Sequence, residues 1–581
     1  MKRNAIVSSF IFIICLMFLV FGCNKKKSST VSSFNNYLND IFRSEITSNT
    51  INLHYTLKNP SSYGIKKYPI TLNNYSKETF QDSAAALENY QAVLESFPYD
   101  SLNTNQKITY DILNNYFSTE LSSKQLYLYS EPLNMYTGVH SQLPILLAEY
   151  RIDNEKDIKE YLSLLCLVDE YLKDVLNFEK QKSKAGLFMS PSSAEKIINQ
   201  CSDFIKDPSA NYLIDTFEDR VNKTNLSSRK RRKYIAQNKK AIEKHIIPGY
   251  KALITGLELI KDTGVNKQGL CYFPKGKEFY EYLVKYNTGS SRSMKEITSL
   301  IEKQRMQDLH DSIKIINKSP AILSKASLSL EISSPEHIVE YLKEKCKKDF
   351  PSPINVNYSI KYVHSSLKDV IGPAFYLQPP IDNPNENFIY INKSSLTNDL
   401  ELFTTLAHEG YPGHLYQNVM STETSNNPLL CITDYCGFSE GWATYVEMYS
   451  YSLAGIDQDL ADLLQMDRSI LLSLYSTLDI GIHFEGWSIK DTQRFMADFG
   501  IDDIRAVVNT YNTVAANPAY YLRYYVGYLE FLSLRDIAKD ALGDDFNLKK
   551  FHEFLVEFGP APFTVIEKYM QKWIDSQKSQ S

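Results

Sequence analysis

The stretch Leu406-Ala407-His408-Glu409-Gly410-Tyr411-Pro412-Gly413-His414 decides how the rest of the chain is read. It sets two imidazoles and a carboxylate in one short segment. In the familiar His-Glu-x-x-His motif the histidines stand four apart and share a helix face. Here they stand six apart. Six steps of a straight helix turn through about 600°, which points the rings away from each other. They converge only if the helix is interrupted. Pro412-Gly413 supplies the interruption, because proline lacks a backbone donor and glycine accepts unusual dihedrals. The sequence predicts a helix to Glu409, a break, and a return that swings His414 toward His408.

About 25 residues further on, in the range where metallopeptidases of the relevant class keep a third ligand, comes Ser439-Glu440-Gly441-Trp442. Two histidines and a glutamate leave zinc one open position for water, as a catalytic site requires. Glu447 lies seven after Glu440 on the same helix face, placed either to support a ligand or to make an ordinary ion pair. Trp442, Tyr445, Tyr449 and Leu453 form the opposite, apolar stripe and read as core.

The rest of the chain reads as scaffold and tether. It has 581 residues and a net charge of -5, which argues against a nucleic-acid partner. The basic run Arg229-Lys230-Arg231-Arg232-Lys233 reads as a solvated helix face. At the N-terminus, Lys2-Arg3 precedes an apolar run from Ala5 to Phe21, followed by Gly22-Cys23 and a Lys- and Ser-rich stretch. This pattern predicts a lipoprotein signal over residues 1–22, with Cys23 lipidated, a polar tether over 23–33, and a body outside the cytoplasm. A plain transmembrane anchor is the other reading of the run. Cys431 and Cys436 fit no common zinc knuckle and are expected to form a buried pair or a bridge.

Residues 34–581 read as one mainly α-helical body, in two parts over 34–350 and 351–581. Phe34, Tyr37, Leu38, Ile41 and Phe42 repeat at helical spacing. Further helices are expected over 80–128, 154–180, 192–206 with Ser192 as cap, and 227–262, the last broken or kinked at Pro248-Gly249. Ser293 and Glu296 form a capping box. Residues 138–144 read as a loop with a structural His140. Only 353–392 reads as β, with strands at Ile354–Tyr362 and Asn387–Asn392. A small sheet just ahead of the metal-site helix suits a cleft rim, where its edge can hold an extended peptide. A purely structural hairpin is the alternative.

His408-Glu409-Gly410-Tyr411-Pro412-Gly413-His414, Glu440-Gly441-Trp442-Ala443 and Asp479-Ile480-Gly481-Ile482-His483 together resemble the bacterial domain-of-unknown-function 885 family. Leu53-His54-Tyr55, Asn59-Pro60, Tyr63-Gly64, Gly186 with Pro191, and Pro518 through Gly527 extend the resemblance over most of the mature chain. The family looks like a branch of the gluzincin peptidases. The resemblance implies a helical, two-lobed fold with a deep cleft and a small sheet on its rim. It also implies a zinc-dependent peptidase in which His408, His414 and Glu440 hold one Zn2+ and Glu409 is the general base.

The developing oxyanion needs a further donor, for which His483 and Tyr524 are the candidates. Asp479, four before His483, can orient that ring or a zinc ligand. Tyr524 stands among Tyr520, Tyr521, Tyr525 and Tyr528, and the resemblance favours it. Arg523 suits either a substrate carboxylate or a surface ion pair. One departure concerns the arginines that relatives carry ahead of Asp479. Leu472 and Tyr475 stand there, and Arg468 is the nearest arginine. Two other functions compete with a membrane-anchored peptidase: a non-catalytic peptide-binding surface lipoprotein, and a zinc hydrolase of another amide or ester. Glu409 speaks against the binder, which needs no general base. Oligomeric state is left open by the sequence.

Overall fold

The computed structural model describes residues 27–579 apart from 73, 323–329, 353–355, 364–371, 425–426 and 434. The expected signal over 1–22 and Cys23 lie outside the described residues. Residues 27–33, placed in the expected tether, belong to a helix over Lys27–Thr47. Its apolar side, Phe34, Leu38, Ile41 and Phe42, is buried.

Helix dominates, and side chains set many of its ends. Ser293 and Glu296 cap helix Met294–Lys318 reciprocally, each side chain accepting from the other's backbone N–H. Elsewhere local readings are corrected. Ser190, not Ser192, caps helix Pro191–Phe204, because Pro191 takes the first helical position. The expected helix over 154–180 is two, Glu155–Leu165 and Val168–Lys184. Residues 138–144 are not a loop but open a helix over Val139–Ala148 that carries Pro144 inside it. Pro144 has no N–H for the His140 carbonyl, and the Tyr250 hydroxyl donates to that oxygen instead at 2.6 Å. Near Pro248 the chain does not break. It widens into a π-turn over Ile242–Ile246 and continues as helix Ile247–Ile260.

Two large hydrophobic cores organise the body. One gathers the helices between Val139 and Ile260 around Tyr150, Tyr161, Phe217 and Tyr250. The other holds Trp442, Tyr525 and Phe531 together with Phe279, Ile297 and Ile338. The division at 350 is therefore misplaced. Helices Gly276–Thr288, Met294–Lys318 and Pro335–Cys346 pack with the metal-site half. Tyr390, between Ile389 and Ile391 of the second core, ties it to the first by donating to the Glu149 carboxylate.

The sheet has three strands, β1 (Tyr358–Tyr362), β2 (Ala374–Leu377) and β3 (Asn387–Ile391), in the order β1-β3-β2. β3 is central, parallel to β1 and antiparallel to β2. β2 falls in a stretch read as a connection; four residues behind Pro373 carry too little alternation to mark a strand. Ile389 of β3 lies under the end of the His408 helix, 3.2 Å from where a Cβ on Gly410 would stand. The sheet thus rests on the segment that carries the histidines. Among the described residues no helix is long and apolar enough to cross a membrane, and no disulfide joins Cys431, which is exposed, to Cys436.

Candidate metal centre

Three helices carry the site. Asp399–Glu409 ends in His408 and Glu409, His414–Thr424 begins at His414, and Cys436–Ser450 bears Glu440 and Glu447. The break runs through Gly410, at φ -109° and ψ -101°, and a cis Tyr411–Pro412 peptide. Gly413 is required by close approach. A Cβ there would lie 1.8 Å from the His408 carbonyl oxygen and 2.4 Å from that of Ala407. Trp442 Nε1 donates to the Pro412 carbonyl at 2.8 Å and fixes the break against the Glu440 helix.

The three predicted ligand side chains converge. Glu440 Oε2 stands 3.5 Å from His408 Nε2 and 3.3 Å from His414 Nε2. The two imidazoles are 4.9 Å apart at 84°. One ligand atom from each residue lies within 4.8 Å of the others. Bonds of about 2.0–2.1 Å to a tetrahedral ion such as zinc set neighbouring ligand atoms roughly 3.3–3.5 Å apart. The two separations to Glu440 match that spacing, so the donor set suits a small divalent cation.

Behind the candidate ligands runs a chain of partners. His408 Nδ1 lies 3.0 Å from Glu447 Oε2, and Glu447 Oε1 accepts from Arg468 Nε at 2.8 Å. This contact directs Nε2 of His408 at the site. Burial alone would lower the His408 pKa, but hydrogen bonds to Glu440 and Glu447 overcome it and raise it to about 10. Burial alone would raise Glu447, yet Arg468 and His408 hold it at about 2. Glu440 is likewise held well below the usual carboxylate range by both histidines, against its burial.

Glu409 faces the same space. Its Oε2 accepts the Tyr376 N–H of β2 at 2.8 Å, and burial pushes its carboxyl above the ordinary value against the pull of His414 and His408. Tyr524 stands near His408, its ring 6.5 Å from the imidazole and its hydroxyl donating to Tyr520 at 3.3 Å. Helix Leu522–Leu542 reaches this position through a glycine contact. A Cβ on Gly441 would meet Gly527 Cα at 2.6 Å, and one on Gly527 would meet the Gly437 carbonyl oxygen at 2.1 Å. Arg523 lies 4.1 Å over the Tyr520 ring and donates to the Tyr520 carbonyl.

Two expected site residues stand elsewhere. His483 is buried and uses both ring nitrogens on backbone: Nδ1 accepts from Leu270 N–H at 3.1 Å, and Nε2 donates to the Val514 carbonyl at 3.0 Å. No nitrogen is left for an oxyanion, and burial pushes its pKa down to about 4. Asp479 orients neither His483 nor a ligand. It accepts from the Tyr280 hydroxyl at 2.7 Å and the Ala519 N–H at 2.9 Å, pinning the turn ahead of the Tyr524 helix. Ala519 has a φ of 60°, so that turn needs holding. The residues unassigned from sequence are Arg468 and the backbone of Tyr376, each brought in by tertiary packing rather than by motif spacing. Leu472 lies in the core and Tyr475 stacks on Tyr521.

The fold and site define a mainly helical protein with a His2Glu centre capped by a three-stranded sheet. The chain belongs to the family described as bacterial protein of unknown function (DUF885), which matches residues 60–570. Among solved structures it is similar to a "putative lipoprotein" from Colwellia psychrerythraea, at 19% identity and a TM-score of 0.82, over 95% of this chain and 99% of that one. It is also similar to a "putative lipoprotein of unknown function" from Shewanella oneidensis, at 16% identity and a TM-score of 0.65, over 94% and 100%. No curated protein matches.

Proposed function

We propose that the protein is a zinc-dependent, gluzincin-like peptidase, tethered through Cys23 to the outer side of a bacterial membrane and acting on short peptides in a cleft beside the sheet. The observation that carries this reading is the convergence of His408, His414 and Glu440 within 4.8 Å, with an intact carboxylate, Glu409, at the next residue. A zinc ion in this site would polarise a peptide carbonyl and acidify a water. The Glu409 carboxylate takes the proton of that water and passes it to the departing amine. The Tyr376 N–H contact keeps Glu409 oriented toward the ligands. The Tyr524 hydroxyl donates to the carbonyl oxygen as charge develops on it. Glu447 and Arg468 hold His408 in the ligating tautomer.

The outer edge of β2 supports a peptide substrate. Among the described residues β2 pairs with β3 alone, and Tyr376 N–H is given to Glu409. An extended chain laid along that edge passes beside the ligands. The test is metal analysis of the full-length protein purified in detergent, followed by mass-spectrometric mapping of cleavage in a mixed peptide library. One zinc per chain and zinc-dependent cleavage are expected. Metal without cleavage favours the binding lipoprotein, and turnover of other amides or esters favours the third reading.

A further inference from the structure

The sequence allows Arg523 either a substrate carboxylate or a surface ion pair. Among the described residues it makes no ion pair. It is half-buried, and its one hydrogen bond runs from Nε to the Tyr520 carbonyl at 3.1 Å. Among the same residues neither terminal nitrogen has an acceptor, and neither is closed off from solvent. A guanidinium fastened at Nε and stacked on a tyrosine ring keeps its two remaining arms side by side. A carboxylate meets such a fork with two parallel hydrogen bonds, and little side-chain freedom is lost on contact.

A cavity of about 460 Å³ reaches this residue. Three other charged residues line it, and each already has a partner. Lys124 meets Glu88 at 2.7 Å, Glu131 meets Lys182 at 2.8 Å, and Glu120 accepts from the Tyr282 hydroxyl at 3.4 Å. Arg523 brings to the cavity a charge that nothing described there answers.

The turn before helix Leu522–Leu542 and its first residues lead from the cavity to the metal centre. Tyr520, a lining residue, accepts from the Tyr524 hydroxyl. The Arg523 guanidinium stands 5.8 Å from the Tyr524 ring, and that ring stands 6.5 Å from the His408 imidazole. An extended chain advances about 3.3–3.6 Å per residue, so the two steps together span no more than about four residues. The positive end of the helix dipole adds to the arginine's charge.

We propose that Arg523 anchors a carboxylate of the peptide substrate, so that the centre cuts within about four residues of it. The cut rests on the peptidase reading; the anchor rests on the free guanidinium. Two sources supply such a group. A C-terminal carboxylate would make the protein release short fragments from peptide C-termini, and an acidic side chain would make it cut at a set distance from Asp or Glu.

The test uses hexapeptides of alanine and glycine with a fluorophore on the N-terminus. One series ends in a free carboxylate, one in an amide, and one in an amide with a single glutamate at each position in turn. Binding to the full-length Glu409→Gln variant, with zinc added, is read by anisotropy, and cleavage by the wild type is read in parallel by mass spectrometry. Expected is about tenfold tighter binding of one carboxylate series than of the plain amide. Tight binding of the free acid assigns the C-terminus, and recovery by glutamate in the amide series assigns a side chain. Adding Arg523→Gln should reduce the preference to about twofold or less, and Arg523→Lys should keep part of it, with the thermal midpoint and zinc content unchanged. A preference that survives Arg523→Gln, as it would were zinc the anchor, overturns the assignment. Equal binding of all series by a protein that cleaves them overturns the anchor and leaves the peptidase standing. An arginine-dependent preference without cleavage supports the anchor and removes the peptidase. Failure to bind any series overturns both.

Discussion

His408 and His483 are both histidines held in the interior of the metal-site half, and the structure uses them in opposite ways. His408 faces two glutamates, its pKa is raised to about 10, and its Nε2 points at the Glu440 carboxylate that His414 also faces. His483 faces two backbone groups, its pKa is lowered to about 4, and neither nitrogen points at anything else. A buried imidazole surrounded by carboxylates is poised for a cation. One surrounded by amide N–H and C=O joins chain segments, here residue 270 to residue 514. The residue type is the same, and its partners decide the role.

Substitutions sharpen this contrast. The largest effect is expected at the ligands: His414→Ala should drop zinc content from one per chain to near zero and abolish cleavage, read by metal analysis and peptide assay. Glu409→Gln should keep the metal and cut kcat by about 10³-fold, within the range for loss of a general base; a variant that retains turnover breaks the assignment. Removing the support of His408 acts on affinity rather than on presence. Glu447→Gln or Arg468→Met should weaken zinc binding roughly 10–100-fold, measured by competition with a chromophoric chelator.

His483→Ala should do the reverse. It strands the Leu270 N–H and the Val514 carbonyl and should cost about 2–4 kcal/mol of stability in denaturant titration, with zinc content unchanged. Loss of metal in that variant would collapse the contrast between the two histidines.

The smallest effect concerns Asp479, whose carboxyl burial pushes up to about 7 from 3.8. A folded pKa raised above the unfolded one favours the protonated fold. That stabilisation is full below about pH 4 and is lost as pH rises through about 7. The thermal midpoint of the wild type should therefore fall between about pH 4 and 7 more steeply than that of Asp479→Asn, which keeps an acceptor oxygen for Tyr280 and Ala519 without a titrating group.

Much of this was readable from residues. The helix break is legible in Pro412-Gly413, and the convergence of His408, His414 and Glu440 is legible in their spacing. The capping box at Ser293 and strands β1 and β3 also follow from local chemistry. What escaped was non-local. Arg468 meets Glu447 across two helices 21 residues apart in sequence, a contact that no periodicity encodes. Asp479 and His483 carry the same residue types as a catalytic pair, and only the turn at 517–521 and the segment near 270 reveal that their partners are backbone. The helix at Val139–Ala148 was missed because Pro144 reads as a breaker until Tyr250, more than 100 residues away, supplies the lost donor.

The seam between Gly441 and Gly527 has a consequence for anyone who would re-engineer this centre. Because those two backbones touch, a carboxylate on one helix and a phenol on the other travel as a single rigid piece. Directed evolution toward another metal or another reaction must leave that seam alone and find its variation in the strand and helices around it.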